Sequence, residues 1–222
     1  MAYKMTKEIL ETIKSNLSPY STLIGRDRFF NSAVLVPMVK LSDGYHILFQ
    51  ERAASIRQGT EYCFPGGKFD PEQDKDYQST AIRETIEELG ISKDQIIIEG
   101  NIGTLLSPMG VAIEAFLAIL KISDLDELDI NKKEVERVFT LPLKYLKNLP
   151  PENYHAKVHA SSSYTDSNGK EVILLPVKEL GLPDTYITPW GGKQHRILVY
   201  KTKEGIIWGI TAEIIHEVLS KY

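Results

Sequence analysis

The sequence predicts an α/β protein in which a mixed β-sheet is sandwiched between helices, an α/β/α arrangement. Three observations carry this expectation. Ala33–Val36 and Tyr45–Phe49 are strand-like runs that flank the turn residues Ser42-Asp43-Gly44, the pattern of a β-hairpin. Val111–Leu120 is almost wholly apolar, as a strand covered on both faces in the middle of a sheet has to be. Helical patterns lie between and after these runs, one over Tyr77–Leu89 ended by Gly90 and one over Thr211–Leu219.

The chain of 222 residues is long enough for one sizeable core and too short for a string of modules. With 42% hydrophobic and 25% charged residues, its composition is that of an ordinary globular protein and excludes disordered or low-complexity readings. A formal charge of −4 argues against a protein that wraps nucleic acid by neutralising phosphates, but leaves room for a small phosphate-bearing ligand at one local site. The one cysteine, Cys63, has no partner for an intramolecular disulfide, and no stretch has the length and apolarity of a membrane span. A soluble cytoplasmic protein is expected. No internal repeat or linker divides the chain, so a single domain over 1–222 is expected, with an N-terminal helical segment (about 1–28) appended.

Met5, Ile9 and Ile13, with Leu10 and Leu17 beside them, predict a first amphipathic helix that caps the domain and ends before Ser18-Pro19. After the hairpin, a loop from Ala53 to Pro71 carries Gly59, Pro65 and the pair Gly66-Gly67, and leads into the helix Tyr77–Leu89. Strands are expected at Ile96–Ile98, Gly103–Leu106 and Val111–Leu120, followed by an acidic linker over Leu125–Asn131. Val135–Phe139 reads as a strand and Pro142–Leu149 as a short helix stopped by Pro150-Pro151. Asp166-Ser167-Asn168-Gly169 predicts a hairpin turn with Val172–Leu175 as the returning strand, and Trp190-Gly191-Gly192 is placed in a Pro/Gly-rich loop. Ile206–Trp208 and the last helix close the chain.

The helix Tyr77–Leu89 carries an arrangement that opposes itself. At roughly 100° per residue, setting Glu84 at zero puts Glu87 near −60° and Glu88 near +40°, while Ile82, Ile86 and Leu89 cluster on the far side. Three carboxylates on one face repel one another and crowd the negative end of the helix dipole. A hard divalent cation such as Mg²⁺ offsets that repulsion, because it prefers carboxylate, water and phosphate oxygens. A solvated acidic face partly neutralised by Arg83 is the alternative. What favours the cation is the preceding Phe64-Pro65-Gly66-Gly67-Lys68, where two glycines let the backbone approach a ligand.

At these residues the chain resembles the Nudix hydrolase family. Gly67 matches the opening glycine of that family's box, and Arg83-Glu84-Thr85-Ile86-Glu87-Glu88-Leu89-Gly90-Ile91 matches its second half, with Thr85 at an aliphatic position. The first half departs: Gly67 and Arg83 stand two residues further apart than the general pattern, and counting from either end lands on Gln73 or Lys75 where a glutamate belongs. Glu72, Asp74 and Asp76 are the candidate substitutes. Ahead of the box, Leu48-Phe49-Gln50-Glu51-Arg52-Ala53 with Arg57, then Glu61 to Pro71, is similar to the signature of the coenzyme A diphosphatase branch, with Thr60 where that branch usually has glycine. Glu134–Leu143 and Ile207–Ala212 are similar to further segments of it, so the resemblance runs from about Val34 onward.

The resemblance implies a Nudix fold and metal-dependent hydrolysis of a nucleoside diphosphate derivative. Coenzyme A or its derivatives, cleaved to 3′,5′-ADP and 4′-phosphopantetheine, is the first expectation, and ADP-ribose or another nucleotide sugar or dinucleotide the alternative. A non-catalytic nucleotide sensor on the same fold is the contrasting class. Glu84, Glu87, Glu88 and the Gly67 carbonyl are the expected ligands of Mg²⁺ or Mn²⁺, and Arg83 is expected to fix a box carboxylate. The general base is either a box glutamate or Glu134 on a loop across the cleft. Arg52, Arg57 and Lys68 are the expected phosphate-binding side chains, and a homodimer is expected by analogy.

Other features have plainer readings. His155 and His159 stand four apart, but in a run that resembles a strand, and lack a metalloprotease pattern. Cys63 reads as a small buried residue, Gly66-Gly67-Lys68 is not a P-loop, and Trp208 with Ile210, Ile214 and Val218 reads as core.

Overall fold

The structure is a computed structural model that describes residues 7–19 and 22–222. In chain order it comprises α1 (Lys7–Ser15), β1 (Phe30–Leu41), β2 (Gly44–Arg52), β3 (Tyr62–Cys63), β4 (Gly66–Lys68), α2 (Tyr77–Leu89), β5 (Ile96–Ser107) and β6 (Val111–Leu120). These are followed by β7 (Val135–Pro142), α3 (Leu143–Lys147), β8 (Glu152–Ala160), β9 (Ser163–Thr165), β10 (Glu171–Ile173), β11 (Trp190–Thr202), β12 (Gly205–Trp208) and α4 (Gly209–Ser220). No helix among the described residues is long and apolar enough to cross a membrane.

The main sheet has seven strands in the order β3-β2-β1-β6-β5, with β4 also paired to β1 and β7 to β2. β6 runs parallel to β1 and is covered on both edges, by β1 and β5, which is what its near-continuous apolar sequence requires. Strand alternation then sorts the side chains into two cores. Val36, Ile47, Phe49 and Ile113 face α4 and the strands β11 and β12, whereas Leu35, Leu48, Phe116 and Leu120 face α2. The expected two strands at Ile96–Ile98 and Gly103–Leu106 are one strand, β5, bent where its register with β6 shifts at Gly100 and Gly103.

The hairpin β1–β2 opens into a fork. The two strands pair with each other only over Met38–Leu41 and Gly44–Ile47. Further down, β1 pairs through Ser32–Val34 with β4, and β2 pairs through Gln50 and Glu51 with β3. Between the two short strands Pro65, which has no N–H to offer, accepts the Leu35 N–H at 2.9 Å. Tyr62–Lys68, expected as part of a loop, is therefore built into the sheet.

Three further expectations are corrected. Residues Trp190–Gly192 open the long strand β11, paired across to β8, and are not a free loop. Trp208 and Ile210 are exposed, while Ile214 is buried as expected. The helix α1 contributes no buried residue, so it does not close over the core, and Met5 lies outside the described residues.

Candidate functional site

The candidate site sits where the N-terminal half of the fork meets α2. Asp76 starts that helix with a reciprocal cap: its Oδ1 accepts the Ser79 N–H at 2.8 Å, and Ser79 Oγ accepts the Asp76 N–H at 2.9 Å. Gly90 ends it at φ 66°, a left-handed turn in which its N–H reaches the Ile86 carbonyl. A side chain at Gly90 would also meet the Asp129 carbonyl at 2.2 Å, so the acidic linker packs directly on the helix end.

The helix is rotated relative to the sequence expectation. Its buried positions are Thr80, Ala81, Thr85, Glu88 and Leu89, while Ile82 and Ile86 are only half-buried. Glu88 thus belongs to the covered face and is 3% exposed. Thr85, at the aliphatic box position, is tolerated there because its hydroxyl donates to the Ala81 carbonyl at 2.6 Å.

Glu88 Oε2 accepts the Gly66 N–H at 3.0 Å, and the Gln50 amide lies against the same carboxylate. Burial raises the Glu88 pKa to about 8, and the nearby charges of Glu84 and Glu134 push in the same direction. Glu84 is also raised, first by burial and then by Glu87 and Glu134, against the pull of Arg83. Its carboxylate occupies the space beside Gly67, where a Cβ would stand 2.3 Å from the Glu84 carboxyl carbon. Gly67→Ala is accordingly expected to displace Glu84 and lower turnover by about a hundredfold while the fold persists, checked by kcat together with circular dichroism.

Of the three acids that could replace the box glutamate, Asp74 is the one that Arg83 holds. Arg83 Nε and Nη2 donate to its two oxygens at 2.9 and 3.0 Å, and Thr80 Oγ1 and the Asp70 N–H complete its shell at 2.9 and 3.0 Å. Asp76 is engaged in the helix cap and Glu72 is exposed. The remaining Arg83 Nη1 reaches Glu84 at 2.8 Å and Glu87 at 3.2 Å, so one guanidinium braces three carboxylates.

The three helix carboxylates differ in their surroundings. Glu84 and Glu88 lie against the glycines of β4, whereas Glu87 is exposed and turned to Arg83, and no cluster of three or more His, Cys, Asp or Glu that could hold a metal forms among the described residues. Glu134 is brought to the site by the end of α2: the Asn131 N–H donates to the Glu88 carbonyl at 3.0 Å, and Asn131 Nδ2 donates to Glu134 Oε1 at 3.1 Å. Arg52 is half-buried and bonds the Arg57 carbonyl at 3.2 Å, while the Arg57 and Lys68 side chains are exposed. Thr60 has φ 67°, the left-handed region that favours glycine. His155 and His159 are exposed on β8.

Sequence reasoning gave Gln50 no role. It is 1% exposed, on the face of β2 shared with Leu48 and α2, and its Oε1 is buried without a hydrogen-bond partner among the described residues. A polar residue at an inward position of an apolar strand was the available signal.

A family model described as the NUDIX domain matches residues 30–161. The chain is 28% identical over 189 residues to an uncharacterized Nudix hydrolase, NudL, of Photorhabdus laumondii, covering 85% of this chain and 82% of that protein. It is 34% identical over 131 residues to the human mitochondrial coenzyme A diphosphatase NUDT8, covering 58% of this chain and 55% of the human one. With the peroxisomal coenzyme A diphosphatase ndx-8 of Caenorhabditis elegans it shares 31% identity over 150 residues, 64% of this chain and 63% of the worm protein. Among solved structures, a C. elegans Ap4A hydrolase binary complex aligns with a TM-score of 0.43 at 28% identity, covering 51% of this chain and 80% of that one.

Proposed function

The chain belongs to the Nudix hydrolase family, and from that premise we propose that it hydrolyses the diphosphate of a nucleoside diphosphate derivative, with coenzyme A or its derivatives as substrate. The observation that carries the reading is Glu88, a carboxylate buried beside the backbone of Gly66 with no cationic side chain bonded to it among the described residues. Burying such a group is costly unless an opposite charge arrives to meet it. The names of the relatives that hydrolyse coenzyme A support the substrate, as does the run from Leu48 to Arg57 ahead of the box.

The residues fit a hard divalent cation, Mg²⁺ or Mn²⁺. The donors are all oxygens, the missing side chain of Gly67 lets the Glu84 carboxylate lie directly against that backbone, and Gln50 Oε1 is a buried acceptor without a hydrogen-bond partner among the described residues. Glu84, Glu88 and the Gly67 carbonyl would hold it, with Glu87 bound directly or through water. Such a cation, when bound, supplies neutralisation of the diphosphate oxygens and a more acidic water.

This chain's own residues do the remaining work. Asp74 holds Arg83, and Arg83 in turn orients Glu84. Glu134, tethered by Asn131, accepts the proton of the attacking water. Arg52, Arg57 and Lys68 attract the phosphates, including the 3′-phosphate of coenzyme A. Water adds to one phosphorus, the P–O bond of the anhydride breaks, and 3′,5′-ADP leaves 4′-phosphopantetheine.

Incubation with coenzyme A and Mn²⁺ or Mg²⁺, followed by chromatography, tests the proposal. Release of 3′,5′-ADP and 4′-phosphopantetheine is expected. Turnover of ADP-ribose with none of coenzyme A would overturn the substrate and keep the reaction.

A further inference from the structure

Gln50 alone among the described residues has a buried side-chain oxygen without a hydrogen-bond partner, and its amide lies against Glu88. We propose that Gln50 is a positioning residue of the cation site: its amide N–H holds the Glu88 carboxylate, and its carbonyl oxygen, Oε1, takes up a water of the cation's hydration shell. This role rests on the metal-dependent hydrolase reading and adds to it a strand residue that the box does not contain.

The backbone fixes where the side chain goes. Gln50 lies on β2 opposite Cys63 of β3 and Val138 of β7, two residues on from Leu48, which packs in the core under α2. Alternation along the strand sends Gln50 to the same face, where α2 brings Glu88. The sheet forks at this point, β3 leaving along β2 and β4 along β1, and the Gly66 N–H of β4 donates to Glu88 Oε2 at 3.0 Å. Gln50 thus meets Glu88 from one limb of the fork while Gly66 meets it from the other.

The chemistry of the amide then assigns its two ends. A carboxamide has a donor end and an acceptor end, and a carboxylate can use only the donor. The contact works against the burial that raises the Glu88 pKa, as a donated N–H does. Nε2 is accordingly turned to Glu88, and Oε1 stands at the other end of the same planar group. It is buried, and the Cys63 thiol across the ladder is not its donor. An acceptor left so is destabilising, and an apolar side chain of similar volume would avoid the cost. A lysine or arginine in its place would neutralise Glu88 and compete with a cation, whereas the amide donates without charge. Mg²⁺ keeps several waters when carboxylates bind it, and each of these is an O–H donor. A water shared with Oε1 satisfies the orphan oxygen only when the site is loaded, so Gln50 favours the loaded state over the empty one.

The test titrates the protein with Mn²⁺ in the absence of substrate, following the free ion by electron paramagnetic resonance, and records melting with and without the ion. Gln50→Met keeps the volume and removes both ends of the amide. It is expected to bind Mn²⁺ at least about tenfold more weakly than the unaltered protein, and to melt no lower in EDTA because the orphan oxygen is gone. Gln50→Glu keeps the outward oxygen and exchanges the N–H beside Glu88 for a charge. It is expected to melt lower in EDTA and to gain more from Mn²⁺ than the unaltered protein does. An affinity of Gln50→Met within about twofold of the unaltered protein overturns the role, and with a lower melting temperature assigns Gln50 to packing alone. The same Mn²⁺-induced shift in both variants as in the unaltered protein overturns it as well. Glu88→Gln is measured alongside. If it binds Mn²⁺ as the unaltered protein does, the cation reading falls and takes the Gln50 role with it; if it loses the ion while Gln50→Met keeps it, only the Gln50 role falls.

Discussion

Glu88→Gln is expected to lower turnover by about a thousandfold while the protein folds normally, because it removes a charged oxygen of the proposed cation site and changes little else. The same substitution relieves the metal-free protein of a carboxylate that is 3% exposed, so without divalent cation the variant should melt about 2–4 °C higher, corresponding to about 1 kcal/mol. Added Mg²⁺ or Mn²⁺ should stabilise the unaltered protein and leave the variant's Tm unchanged. The opposed signs separate the metal-ligand role from a structural one. A variant that retained activity would remove Glu88 from the mechanism, and one that melted lower would mean that its hydrogen bond to Gly66 outweighs its burial.

Asp74→Asn is expected to cost about 2–3 kcal/mol and to reduce activity by loosening Arg83 from Glu84. The Asp74 side chain is 1% exposed and Arg83 23%, so the arginine keeps some water and the loss stays below the ~3–5 kcal/mol of a fully buried pair. The hydrogen bonds from Arg83 hold the Asp74 carboxyl down at about 2, below the ordinary 3.8. Its contribution is present above the higher of these values and is lost as the pH falls through the lower one. Urea unfolding should therefore show the unaltered protein losing about 2 kcal/mol more than Asp74→Asn as the pH falls from about 4 to about 2. Parallel pH dependences for the two proteins would refute the pairing.

The difference between Asp74 and its neighbours shows what the residues reveal in order and what they do not. The helix Tyr77–Leu89 is legible because its ends are chemically marked by Asp76, Ser79 and Gly90, and β6 because a doubly covered strand has to be apolar. Asp74 is hidden because the loop before the helix is longer than usual, so counting along the chain falls one position to either side of it. Only the fold brings its short side chain to Arg83. The depth of Glu88 is hidden for another reason. Placing the core on Ile82 and Ile86 assumes that apolar residues choose the buried face, whereas the fork of the sheet meets the helix along Ala81, Thr85 and Glu88. The strand β11 is obscured by the Pro/Gly-rich start that it shares with ordinary turns, and is fixed by its long partnership with β8. The functional assignments of Glu84, Glu88 and Gly67 come from the motif, while Gln50 stands within the run ahead of the box without a role of its own, and its burial against Glu88 emerges only from packing.

Because Tyr62–Lys68 is stitched to β1 on one side and β2 on the other, the backbone that abuts the carboxylates of the candidate site is tied to the sheet at both ends. It moves when the ladder moves. Catalytic alignment and the integrity of the sheet thus become one cooperative property, and a lesion that unzips the lower half of the hairpin silences the enzyme well before the rest of the molecule melts.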